Sequence, residues 1–295
     1  MLTPQILDAI GVERDPFNSE MSSLFDLFLP KQHKLVLDKG LDAAAKCKFI
    51  AITGPVGTGK TIVKLALIER LKEKQNYMIS EPEIIDMPKC LPATIIDSML
   101  EDFMFLRSNT DNFKPIARKG SSRNKGTLED RSRWIHSLLK IKVRDGKKLV
   151  LIIDEAHLLP VHTLKTLKRF HEMQDGFSKL LSIILIGQDE LVHFLNGNYE
   201  IREVTARLNI VEMQPIPNLV KEYLNHKVQR AGGRLENLID DSGLKAVKTL
   251  LNGERAIPIS INNLVAKAVE DGYNLDALPV NAEIIENSYA KLKNL

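Results

Sequence analysis

Gly54, Pro55, Val56, Gly57, Thr58, Gly59, Lys60 and Thr61 are the residues whose order carries the clearest chemistry. They match G-x-x-x-x-G-K-[ST], in which glycines let the backbone wrap round phosphates while amides and a following helix N-terminus supply partial positive charge. In that arrangement Lys60 reaches the β and γ oxygens of a nucleoside triphosphate, and Thr61 offers its hydroxyl oxygen to magnesium. ATP and Mg2+ are the expected ligands. The bland reading, a Gly-rich turn with an exposed lysine, is disfavoured by context. A strand-like run, Phe49 to Thr53, precedes the loop and an amphipathic stretch, Ile62 to Leu71, follows it, with apolar positions at Ile62, Leu65, Ala66, Ile68 and Leu71.

A second group lies 94 residues beyond Lys60, where the apolar run Leu149 to Ile153 ends in Asp154 and Glu155. Open α/β sheets bind ligands at the carboxyl ends of their strands. Asp154 is placed to complete a magnesium shell with Thr61, and Glu155 to polarise the attacking water as general base. Residues 154–157 spell Asp-Glu-Ala-His, a helicase tetrad, but a helicase of that type needs two tandem α/β domains, and His157 is read as a helix-entry residue. A third apolar run ends at Gly187-Gln188, where Gln188 could orient the lytic water. Arg202 and Arg207 follow in a segment resembling a surface helix. They read either as solvated helix charge or as an arginine finger reaching a neighbouring subunit's nucleotide.

The elements that must hold these groups alternate between β-branched runs and helix-period segments up to about residue 213, the pattern of a parallel sheet covered by helices on both faces. After residues 213–218 only helical signals remain. Val220, Tyr223, Leu224, Val228 and Ala231 form a stripe ending at Gly232-Gly233. Further helices are expected over Ser242 to Leu251, over Ile261 to Val269 ahead of Gly272, and over Ala282 to Leu292. An ATPase domain over 1–215 and a helical domain over 216–295 are therefore expected.

Among 295 residues, 41 are basic and 38 acidic, leaving +3, with 44% apolar and 27% charged, which excludes a disordered or disulfide-built chain. The charge is uneven. Residues 107–133 hold eight basic side chains against three acidic ones, a segment of +5 inside a remainder of −2. Lys114, Arg118, Lys119, Arg123 and Lys125 are its candidate DNA contacts, the alternative being a solvated insertion. Cys47 and Cys90 have no ligand spacing and read as small buried hydrophobes. No signal peptide is apparent from Met1 to Pro16, and the longest apolar stretch, Leu180 to Gly187, is far below the roughly 18–20 residues of a membrane span. The expectation is a cytoplasmic, unanchored protein.

These residues resemble AAA+ ATPases of the ExeA, IstB, MuB and TnsC kind, over about residues 11–275. The likeness rests on residues 11–17, 52–61, 152–160, 185–191 and 204–208. It implies an α/β P-loop AAA+ fold, a five-stranded parallel sheet in order 5-1-4-3-2 with a small C-terminal helical lid. It further implies Gln188 as sensor 1, Arg207 before Arg202 as arginine finger, and ATP-dependent homo-oligomerisation as a ring or helical filament. Two departures stand out. Residues 256–259 read Ala-Ile-Pro-Ile where the family's lid carries an arginine after the proline, so Ile259 replaces the usual charge or Arg255 substitutes for it. Lys165, Lys168 and Arg169 form a basic cluster where ExeA-like relatives are more acidic.

Three uses of the ATP follow from the resemblance. The first, and the one expected, is a transposition helper that assembles on double-stranded target DNA and recruits or regulates a transposase, with a target-selector protein as a possible further partner. An ExeA-like secretion-assembly ATPase is the second; such proteins carry a membrane span after the lid, and residues 216–295 hold no apolar run of that length. A replication-loader type switch is the third.

Overall fold

The computed structural model describes residues 2–17, 27–105 and 127–293. The five candidate DNA contacts from Lys114 to Lys125 lie outside them. Five strands form one parallel sheet: β1 (Phe49–Thr53), β2 (Tyr77–Ser80), β3 (Lys148–Ile153), β4 (Leu181–Ile186) and β5 (Asn209–Glu212). Their order is β2-β3-β4-β1-β5, which is 5-1-4-3-2 counted from the other edge. Every residue of β1 and β4, and all but the first of β3, is buried. Both faces of a parallel sheet are covered by its crossover helices, so its strands are continuous apolar runs rather than alternating ones.

The crossovers are α3 (Lys60–Lys72) after β1, then α4 (Pro92–Phe105) and α5 (Leu128–Arg144) after β2, α6 (Val161–His171) after β3, and α7 (Glu190–Gly197) with α8 (Arg202–Thr205) after β4; α2 (Lys31–Ala45) precedes β1. From β1 the chain leaves toward β2 at one edge, and from its neighbour β4 it leaves toward β5 at the other. Adjacent strands whose connections diverge leave a crevice at their carboxyl ends, and that is where this sheet can take a ligand. Between α6 and β4 a short antiparallel ladder, Gln174–Asp175 with Ser178–Lys179, turns at Gly176.

Helix α3 is longer than its apolar stretch suggests, and its buried side is rotated. Val63, Ala66, Leu67, Ile68 and Leu71 are buried, while Leu65 is exposed. Apolar residues nearly all round this helix left its inner face undetermined by pattern alone.

The chain divides into two compact units, one of residues 33–55 and 60–213, the other of the described residues among 1–32, 56–59 and 214–295. The second is helical: α1 (Pro4–Ile10), α9 (Val220–Arg230), α10 (Leu235–Leu238), α11 (Asp241–Leu250), α12 (Pro258–Asn274) and α13 (Ala282–Lys293). Its core draws on Ile6, Ile10, Tyr223, Leu224, Val247, Leu264 and Val265. The expected stripe of α9 is buried as read, and the chain leaves this helix at Gly232 with φ +86°. Gly272 was expected to lie beyond a helix end. Instead α12 runs through it, and a Cβ there would come 2.6 Å from Cγ1 of Val280, so the glycine serves close approach and not termination. Cys90 is buried, its thiol pushed up to about 11 by burial. Cys47 is only half-buried and sits at φ 48°, in a turn and not in the core. No helix among the described residues is long and apolar enough to cross a membrane.

Candidate functional site

The loop after β1 has the backbone its sequence requires. Gly57 and Gly59 adopt φ +81° and +97°, conformations that side chains strain against, and α3 begins at Lys60. The positive end of that helix therefore faces the loop, and Thr61 lies exposed in its first turn. Lys60 Nζ donates to the carbonyl oxygens of Gly54 and Pro55 at 2.7 and 2.8 Å. Burial pulls its pKa below the ordinary lysine value, against the opposing pull of Asp189, Glu155, Asp154 and Glu190. A half-buried ammonium held by neutral carbonyls is a site prepared for anionic oxygens.

Asp154 and Glu155 leave β3 together. Glu155 sits in the left-handed region, φ 49° and ψ 34°, and its N–H donates to Oδ1 of Asp154 at 2.9 Å. This turn directs the Glu155 carboxylate toward the end of β4, where the Gln188 amide donates to its Oε2 at 3.5 Å. Three strand ends, those of β1, β3 and β4, thus bring Lys60, Asp154, Glu155 and Gln188 into one constellation.

Three further groups join it: Lys64 and Asp189, which the sequence did not single out, and His157. Lys64 Nζ lies 2.8 Å from Oδ2 of Asp154 and 2.7 Å from Oε1 of Glu81, which follows β2. Burial works against that ammonium, but the two carboxylates outweigh it and hold its pKa above the ordinary value. The spacing offered a signal, since Lys64 is four residues past Lys60 and so lies on the same helix face. His157 is more than a helix-entry residue. Its Nδ1 accepts the Gln188 N–H at 3.4 Å, and its Nε2 lies 3.6 Å from Oε2 of Glu155. Asp189, beside Gln188, has its pKa raised by burial despite the pull of Lys60.

A family model described as an AAA domain matches residues 44–195. The chain belongs to that family. Membership makes it a nucleotide-binding protein of a nucleotide-hydrolysing ATPase family, and the matched span runs from α2 to α7, enclosing the loop, the acidic pair and Gln188. General secretion pathway protein A of Aeromonas hydrophila is 28% identical over 266 residues, 88% of this chain. The chain spans only 43% of that relative's length. Among solved structures, Cdc6p of Pyrobaculum aerophilum superposes with TM-score 0.59 at 15% identity, covering 90% of this chain and 68% of that one. The ORC2 protein of Aeropyrum pernix, solved as ADPNP–ADP complexes, gives 0.56 at 13%, covering 94% and 71%. The ORC1 protein of the same organism, solved in complex with DNA, gives 0.55 at 14%, covering 90% and 66%. At such identities the likeness concerns the fold, which this AAA protein shares.

The family implies a nucleotide, typically with magnesium, and the residues present fit both. Among the described residues no cluster of three or more His, Cys, Asp or Glu could hold a metal by itself. Magnesium suits the remaining donor set, a hydroxyl and a carboxylate completed by phosphate oxygens, because it keeps few protein ligands. Among the described residues Thr53 Oγ1, directly before Gly54, is buried without a hydrogen-bond partner. In the helical unit of this AAA protein, a Cβ at Gly57 would run into Ile259, the residue standing where the lid arginine was expected.

The two arginines have separate surroundings. Arg202 stacks over the ring of Tyr199 at 4.2 Å, and Arg207 Nε lies 3.7 Å from Oε1 of Glu172; both are exposed. The basic cluster of α6 is partly neutralised. Lys168 pairs with Glu172 and Glu203 at 3.1 and 3.0 Å, and Lys165 with Glu200 at 3.4 Å.

Proposed function

We propose that the protein is a magnesium-dependent ATPase whose ATP-bound form self-associates on duplex DNA and regulates or recruits a transposase. The observation that carries the ATPase reading is the convergence of Lys60, Thr61, Asp154, Glu155 and Gln188 at adjacent strand ends. In this reading the loop amides and Lys60 bind the phosphates, while Thr61 and Asp154 hold the magnesium ion. Bound there, the metal supplies charge neutralisation for the β and γ phosphates. Glu155 takes a proton from the attacking water, and Gln188 fixes the carboxylate and that water relative to each other. His157 holds Gln188 through its main-chain N–H. Arg207, or Arg202, reaches the nucleotide of a neighbouring subunit, so that hydrolysis depends on assembly.

The DNA partner is supported by the +5 balance of residues 107–133 and agrees with the DNA complex of the ORC1 protein. The transposase partner rests on the resemblance to transposition helpers. A second reading, an ATPase of secretion assembly, is favoured by the Aeromonas relative. Electron microscopy and co-sedimentation of Glu155→Gln with ATP, with and without duplex DNA, separate them. ATP-dependent assemblies that need DNA are expected; assembly indifferent to DNA overturns the first reading.

A further inference from the structure

Lys64 raises a question that the ATPase chemistry leaves unanswered, because it already pairs with the carboxylate that, in the reading above, would help hold magnesium. Its ammonium lies 2.8 Å from Oδ2 of Asp154. The other oxygen, Oδ1, already accepts the N–H of Glu155 at 2.9 Å. Lys64 is not a loose surface charge, for only 14% of its side chain is exposed. It also has a second anionic partner at 2.7 Å, Glu81, at the end of the edge strand β2.

We infer that Lys64 competes with magnesium for Oδ2 of Asp154, and that Glu81 is the carboxylate to which Lys64 withdraws when the metal is bound. The inference rests on the nucleotide-site reading above. A divalent cation held by Asp154 would stand beside a like charge, and the repulsion grows where water is partly excluded. The ammonium therefore sets how much magnesium the site demands, and Glu81 lowers that demand by offering Lys64 an equivalent partner. Lys64 and Glu81 are positioning residues: each acts through Asp154.

Removing Lys64 and removing the Glu81 charge are predicted to have opposite effects, which a merely structural ion pair does not produce. The measurement is binding of a fluorescent, non-hydrolysable ATP analogue at fixed concentration as Mg2+ is titrated. Lys64→Met removes the rival and leaves two acidic groups, so the half-saturating Mg2+ concentration falls roughly three- to tenfold. Glu81→Gln leaves Lys64 on Asp154 alone and raises that concentration. Lys64→Arg keeps the charge and stays close to the parent. An unmoved or raised half-point in folded Lys64→Met, judged by circular dichroism and melting in EDTA, overturns the competition. Should Lys64→Met fail to fold, Glu81→Gln decides: an unmoved or lowered half-point overturns it equally. Parent protein that binds no nucleotide at any Mg2+ concentration overturns the nucleotide reading itself, whereas binding with unaltered metal dependence in the variants overturns only the competition.

Discussion

Glu155 shows how a single backbone conformation is tied to chemistry. A non-glycine residue at φ 49° costs on the order of 1 kcal/mol or more, and such strain persists only where the surroundings over-determine it. Here the compensation is visible: the strained turn lets Asp154 accept the Glu155 N–H and brings the Glu155 carboxylate to Gln188. The side chain stays 52% exposed, so water can reach it. Glu155→Gln is expected to lower kcat by about 10²- to 10⁴-fold with nucleotide affinity retained, as removal of a general base does. Lys60→Ala is expected to abolish nucleotide binding. Steady-state phosphate release and equilibrium binding check both, and normal turnover in either variant sinks the assignment of roles. At this scale much was legible: Lys60, Thr61, Asp154, Glu155 and Gln188 announce themselves through motif spacing. Lys64 carried only the faint signal of its spacing from Lys60 and Glu81 carried none, because an ion pair bridging α3 and the ends of β2 and β3 is not a local pattern.

At the level of elements, His171 at the end of α6 packs near the ring of Phe49 in β1, with Nε2 3.0 Å from the Cys47 carbonyl oxygen. Burial, reinforced by the charge of Lys179, pushes its pKa down to about 4 from an ordinary 6.5. Between those values the unfolded chain binds a proton that the folded chain refuses. Stability is therefore fully present above about pH 6.5 and is lost as pH falls toward 4. Urea midpoints measured from pH 7.5 to 4.5 are expected to show this acid slope, and His171→Phe to flatten it; an unchanged slope assigns the acid sensitivity elsewhere. In the helical unit, Gly272→Ala drives a methyl against Val280 and the Ala277 carbonyl, so about 1–3 kcal/mol of destabilisation is expected, read as a lower urea midpoint. Helix-interior alanine is otherwise the more stable choice, so a stabilised variant contradicts the close packing described for α12. Strands β1, β3 and β4 were visible as apolar runs. The short strands β2 and β5, four residues each at the sheet edges, were not, since half-exposed edges carry little hydrophobic signal.

The whole molecule is where the small net charge of +3 acquires meaning. A mildly acidic ATPase carrying a concentrated basic segment can bind a polyanion that its average charge does not advertise. Neutralising Lys119, Arg123 and Lys125 is expected to weaken duplex binding equally across sequences and to reduce the salt slope by about 0.9 for every phosphate that is no longer neutralised. Fluorescence anisotropy over a range of salt concentrations measures it; an unchanged slope leaves the segment a solvated insertion.

Fold class, the phosphate-loop motif and the central strands β1, β3 and β4 were determined by the sequence itself, because such loops, acidic strand ends and apolar runs are local and their spacing is read directly. Tertiary structure alone decided which face of α3 is buried, that Gly272 marks a close approach and not an ending, and that Lys64 shares the oxygen of Asp154. Each of these depends on residues far apart in the chain meeting at distances of a few ångströms, and sequence spacing does not encode such meetings.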